Sequence, residues 1–227
     1  MKPITVLLAD DHQIVREGFS SLLKHERDID VIGEAETGRE AVAMVKKLCP
    51  AVVVMDIAMP LLNGLEATRQ IRKGCPATKV LMLSAHSDDA YVAQVTALGA
   101  AGFLLKQASA HNLATAIREV HKGNTFFSPQ ISQRLKGRDR KTLDREGNLK
   151  TKSNQLSSRE VEVLQLIAEG QPNKQVAAEL GVSFKTVDKH RQHLMAKLNI
   201  HDVAGLTRYA IAEGIIESSV QLTVVKE

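Results

Sequence analysis

Through the first half of the chain, short apolar runs alternate with stretches in which apolar residues return every third or fourth position. Ile4 to Ala9, Val31 to Ala35, Ala51 to Met55, Val80 to Ser84 and Gly102 to Leu105 are β-branched or Leu-rich and read as five strands. Between and after them, Gln13 to Lys24, Arg39 to Leu48, Gly64 to Lys73, Asp89 to Leu98 and Ala110 to Lys122 carry the spacing of amphipathic helices. Strict strand–helix alternation predicts a doubly wound, five-stranded parallel α/β sheet, whose ligands bind outside the carboxyl ends of the strands. From Gln155 onward only the helical pattern remains, predicting a separate all-α domain.

The strand ends carry the chemistry. The first predicted strand runs into Asp10 and Asp11, the third into Asp56, the fourth ends at Ser84 and the fifth runs into Lys106. Three carboxylates on one sheet edge repel one another, so a cation is expected among them. An all-oxygen set suits Mg²⁺, with Asp11 and Asp56 as direct ligands and Asp10 acting through water. The Lys ammonium and Ser hydroxyl match the oxygens of a phosphoryl group accepted by an Asp carboxylate. Any one of these acids alone would read as a turn or helix-cap residue. It is their joint placement at successive strand ends that points to a site.

In the second half, Ser157 with Glu160 forms a capping-box signature for the helix that stops before Gly170. Asn173 reads as the cap of a short helix ending near Gly181, and Ser183 as the cap of a longer one reaching Leu198. Two helices around a Gly-containing turn make a helix-turn-helix. A final helix is expected over 203–216.

Charge and cysteine content refine this picture. The formal net charge of +4 is unevenly placed: residues 1–128 are neutral, residues 129–154 carry +5 and residues 155–227 carry −1. The basic, weakly apolar stretch predicts a linker over 123–154 between a domain at 1–122 and one at 155–227. No apolar run approaches the roughly 20 residues of a membrane helix, and the start of the chain does not read as a signal peptide, so a cytoplasmic protein with no membrane partner is expected. Cys49 and Cys75 lack metal-ligand spacing and read as buried free thiols.

These motifs resemble two families. LLADDH, VVVMDIAMPLLNGLEA, VLMLSAH and GFLLK resemble the receiver domain of two-component signalling, the CheY-like fold. The resemblance implies that Asp56 is the phospho-acceptor, that the Ala58 carbonyl is the third Mg²⁺ ligand beside the acids, and that Ser84 and Phe103 form the switch. Gln107 stands where many receivers have proline. LSSREVEVLQLIAEGQPNKQVAAELGVSFKTVDKHRQHLMAKLNI resembles the LuxR-type helix-turn-helix of the NarL/FixJ response regulators. That resemblance places Asp188, Lys189 and Gln192 at base edges and Lys174, Lys185, Thr186, His190 and Lys197 at phosphates.

Together the two imply a transcription regulator rather than an enzyme. Its partners would be a sensor histidine kinase, an inverted-repeat DNA operator and, when phosphorylated, a second copy paired through the last helix. They also imply that the unphosphorylated receiver covers the recognition helix. Two other classes stay open from the residues: an aspartyl-phosphate phosphatase, though the D-x-D of such enzymes is missing from the first strand, and a constitutive DNA binder with a degenerate receiver.

Overall fold

The computed structural model describes residues 2–85, 94–107, 110–127 and 156–216. The first half contains β1 (Ile4–Ala9), α1 (Gln13–Leu23), β2 (Ile29–Ala35), α2 (Gly38–Leu48), β3 (Val52–Asp56), α3 (Gly64–Gly74), β4 (Lys79–Ser84), β5 (Gly102–Leu105), α4 (Ala110–His121) and β6 (Phe126–Phe127). Residues 94–97 are also helical and end the helix expected over 89–98, whose earlier residues lie outside the described ones.

The sheet is parallel in the order β2-β1-β3-β4-β5-β6. It has six strands rather than the expected five. The addition, Phe126–Phe127, pairs with Gly102 and Phe103 at the sheet edge and lies inside the stretch expected to be linker. Residues 128–155, with the basic cluster, lie outside the described residues.

The central strands are apolar on both faces because helices cover both. Val53, Met55, Met82 and Phe103 point to one layer with α2 and α3. Val6, Leu8, Val54, Leu81 and Leu104 point to the other with residues of α4. Local caps fix the helix starts: Thr37 accepts from the Glu40 N–H and Asn63 from the Glu66 N–H.

Two readings are corrected here. Cys49 is exposed and Cys75 half-buried. Cys49 follows Val45 at helical spacing, but it is the C-cap of α2 in the left-handed region (φ 48°), so the chain leaves the buried face at that residue. Asn173 does not cap its helix. Pro172 occupies the cap position, and the Asn173 amide oxygen accepts from Arg191 at 3.1 Å.

The second domain is all helical: α5 (Ser158–Ala168), α6 (Asn173–Glu179), α7 (Phe184–Leu198) and α8 (Val203–Ala212), the last shorter than expected. Ser157 and Glu160 form the capping box of α5, and Ser183 caps α7. Val163, Leu164, Ile167, Val176, Val187, Leu194 and Leu206 fill its core. No helix among the described residues is long and apolar enough to cross a membrane.

The two domains are docked. The β3–α3 loop lies against α5, where the Gln165 amide accepts from the Asn63 N–H at 2.8 Å and donates to the Met59 carbonyl at 2.9 Å. Arg39 of α2 pairs with Glu162 at 3.2 Å and Glu179 at 2.9 Å. Gln70 of α3 donates to Glu162 at 3.0 Å.

A strand-end acidic site and an open recognition helix

Parallel topology brings the predicted residues together because adjacent strands end at the same edge. Asp10 follows β1 and Asp56 is the last residue of β3; both are buried. Lys106 follows β5, and its ammonium lies 2.9 Å from Asp10 Oδ2 and 2.9 Å from Asp56 Oδ2. Ser84, also buried, ends β4 beside them in the sheet order. Carboxylate oxygens of Asp10, Asp11 and Asp56 and a ring nitrogen of His12 all lie within 4.8 Å of one another. This mostly oxygen donor set around one edge fits a small hard divalent cation.

His12 is a contributor that the strand-end argument passes over, since it lies one residue beyond the acidic pair. Its Nδ1 is 2.8 Å from Asp11 Oδ1, and its backbone N–H donates to Asp10 Oδ1 at 2.9 Å. Arg16, buried on α1, donates to the Asp10 carbonyl at 2.7 Å and pairs with Glu36 at 2.6 Å, tying the acidic turn to the β2–α2 connection.

Electrostatics follow from burial and crowding. Burial pushes the Asp56 carboxyl up to about 7; Lys106 opposes this, while Asp10 and Asp11 add to it. Lys106 is drawn down by burial, yet Asp56 and Asp10 hold it above the ordinary lysine range. The Asp56 turn needs glycine at one place: a Cβ on Gly64 would overlap the Asp56 carbonyl. Gly64 donates its N–H to the Ile57 carbonyl at 2.8 Å, closing the loop that follows Asp56. Phe103 is fully buried on β5, opposite Met82 and Phe127.

In the helical domain, Lys185, Lys189 and Gln192 are exposed on α7, with Thr186, Asp188 and His190 partly exposed, and Lys174 exposed on α6. A shallow groove is lined by Ser183, Lys185, Thr186, Lys189, His190 and His193. The Gln192 amide donates to Asp188 at 2.9 Å. Lys197 is engaged elsewhere, 2.6 Å from the capping-box carboxylate of Glu160.

Among the described residues, the first domain does not cover this face. Its hydrogen bonds and ion pairs among the described residues reach α5, α6, and the chain after α8, and none reaches α7. Among the described residues the expectation of a covered recognition helix is therefore not met, because the docking surface of the helical domain is made by α5, α6 and the chain after α8.

Residues 6–118 match the family model for the response regulator receiver domain, and residues 154–210 match that of the bacterial regulatory proteins of the luxR family. The oxygen regulatory protein NreC of Staphylococcus carnosus is 37% identical over 214 residues, spanning 93% of this chain and 99% of that protein. Among solved structures, the RcsB response regulator of Salmonella typhimurium aligns over 93% of this chain and all of its own, with 27% identity and a TM-score of 0.57. A structure of RcsB in complex with DNA aligns over 92% of this chain and 98% of its own, with 27% identity and a TM-score of 0.57. The response regulator ChrA of a heme-sensing two-component system aligns over 95% of this chain and all of its own, with 31% identity and a TM-score of 0.52. The fold and site define a two-component response regulator that joins a receiver to a LuxR-type DNA-binding domain. The chain belongs to the NarL/FixJ family of these regulators.

Proposed function

We propose that phosphorylation of Asp56 by a partner histidine kinase, with Mg²⁺ bound by Asp10, Asp11, Asp56 and the Ala58 carbonyl, controls sequence-specific DNA binding and hence transcription. The observation that carries this reading is the meeting of Asp56, Asp10 and Lys106 at one sheet edge. The metal, when bound, neutralises the oxygens of the incoming phosphoryl group. Asp56 supplies the nucleophilic oxygen, Lys106 pairs with the phosphoryl oxygens it then carries, and Ser84 donates its hydroxyl to them. Phe103, buried on the neighbouring strand, follows Ser84 and reports its position to the surface.

DNA is read by α7. Asp188, Lys189 and Gln192 face base edges, while Lys174, Lys185, Thr186 and His190 face phosphates. Lys197 joins them only by leaving Glu160. The reading face is already open, so control acts on the pairing of two copies rather than on uncovering α7. Exposed Val203 and Ile211 on α8 supply an apolar surface for that pairing. Two half-sites double the phosphate contacts available to a domain of nearly neutral charge. The site of action is the cytoplasm, where kinase and operator are both reached.

The test is selection of DNA sites from a random pool with Mg²⁺ and beryllofluoride, and again without them. Enrichment of an inverted repeat only with the phosphoryl mimic is the expected result. The same sites in both arms would leave a DNA reader without control through Asp56. Enrichment in neither arm would overturn the DNA-binding assignment.

A further inference from the structure

We propose that Gln165, a side chain of the DNA-reading domain, is a positioning residue of the phospho-acceptor site. It stands on α5, where a lone glutamine would ordinarily be solvated, yet it is fully buried. Its amide is fully engaged: Oε1 accepts from the Asn63 N–H at 2.8 Å, and Nε2 donates to the Met59 carbonyl at 2.9 Å and to Glu169 at 2.8 Å. The two receiver groups bracket the second half of the loop that follows Asp56.

Between them sits an independent sign that this loop is held from outside. Leu61 has φ +66°, a left-handed conformation costly for a branched side chain and stable only where the surroundings over-determine it. Those surroundings belong to the other domain. The Glu169 carboxylate accepts from the Leu61 N–H at 3.1 and 3.3 Å, and the Leu61 side chain packs into the core of the helical domain.

Met59 is joined directly to Ala58, whose carbonyl is the proposed metal ligand. A shift of the loop on taking the cation and a phosphoryl group is therefore made against the Gln165 clamp. This step rests on the reading of Asp56 given under Proposed function, and takes the paired, phosphorylated form to be one in which the effector has left the β3–α3 loop. Coupling between two sites is reciprocal, so whatever phosphoryl binding does to docking, docking does to phosphoryl and Mg²⁺ binding by the same factor. The clamp therefore weakens that binding in the intact chain.

The experiment compares the full-length wild type with Gln165→Ala by titrating Mg²⁺ at fixed beryllofluoride and reading bound fluoride by ¹⁹F NMR. The variant should half-saturate at about fivefold or more lower Mg²⁺, the lower end of ordinary allosteric coupling. Leu61→Ala, which withdraws the side chain from the helical core while leaving the left-handed cost in place, should move in the same direction, and it carries the test if Gln165→Ala does not fold. A merely structural glutamine would lower the melting temperature and leave the Mg²⁺ midpoint where it was. An equal or higher midpoint in the variants overturns the assignment while leaving the receiver reading intact. No saturable binding in any chain, wild type included, overturns the receiver reading and the inference with it.

Discussion

The Lys106 ammonium lies 2.9 Å from Asp56 Oδ2, and the same nitrogen is 2.9 Å from Asp10 Oδ2. One cation thus compensates two buried carboxylates, with Asp11 close behind. Removing one partner from a buried ionic cluster leaves uncompensated charge and typically costs about 3–5 kcal/mol. Because Lys106 keeps some solvent access, Lys106→Met is expected to cost nearer about 2–3 kcal/mol. Mg²⁺ should recover most of that loss, making the melting temperature of the variant far more Mg²⁺-dependent than that of the wild type. Thermal melts with and without Mg²⁺ check this, and a variant insensitive to Mg²⁺ would argue against a cation among these acids.

Asp56→Asn removes one negative charge from the same crowded edge while keeping the acceptor oxygen for the Ile57 N–H, which now bonds Asp56 Oδ1 at 2.9 Å. The variant should be more stable by roughly 1 kcal/mol, which for a chain of this size is about 2–4 °C in melting temperature. It should also show no bound fluoride in the beryllofluoride titration. A stable variant that still binds beryllofluoride would place the acceptor elsewhere.

The acidic site was legible because parallel α/β topology makes neighbours of strand ends that are far apart in sequence, so Asp10, Asp56 and Lys106 needed only their strands to be recognised. The helix-turn-helix was legible from its caps, since Ser157 and Ser183 fix where α5 and α7 begin. What escaped depends on partners outside the local pattern. Phe126–Phe127 is too short to show a period and becomes a strand only by pairing with β5. Gln165 on α5 looks like a solvated polar position until the β3–α3 loop covers it. The docking mode, with α5 rather than α7 against the receiver, is set by such cross-domain partners and by the Arg39 ion pairs.

Glu66 makes the docked chain sensitive to pH. It is buried at the start of α3, and burial raises its carboxyl above the ordinary value of 4.5, against the pull of Arg69, Ser158 and Gln70, with Glu162 across the interface adding to the rise. A carboxyl raised in the folded state contributes stability that is fully present below its unfolded value and is lost as pH rises through its folded value. Stability should therefore fall as pH is taken upward from about 4.5 through the raised value of Glu66. Glu66→Gln should remove this dependence. Its melting temperature should exceed that of the wild type at neutral pH and converge with it toward pH 4.5. A variant less stable than wild type at neutral pH would show that the Arg69 pair, and not burial, governs Glu66.

On α7, the Gln192 amide is held by Asp188 at 2.9 Å, so the acid orients its neighbour on the face proposed to read DNA. Asp188→Ala removes a negative charge from the reading face and frees Gln192 to turn. Affinity for non-specific duplex should rise, because a repulsive charge has gone. Discrimination at the base pair that Gln192 faces should fall by the roughly 1–3 kcal/mol of one good bidentate contact. Lys185→Ala should behave differently, weakening all sequences alike and lowering the dependence of log affinity on log salt by about one. Binding measured across salt concentration on selected and scrambled duplexes separates the two. An Asp188→Ala chain that keeps full discrimination would remove Asp188 and Gln192 from the base-reading set, whereas an unchanged salt slope in Lys185→Ala would take that lysine off the phosphates.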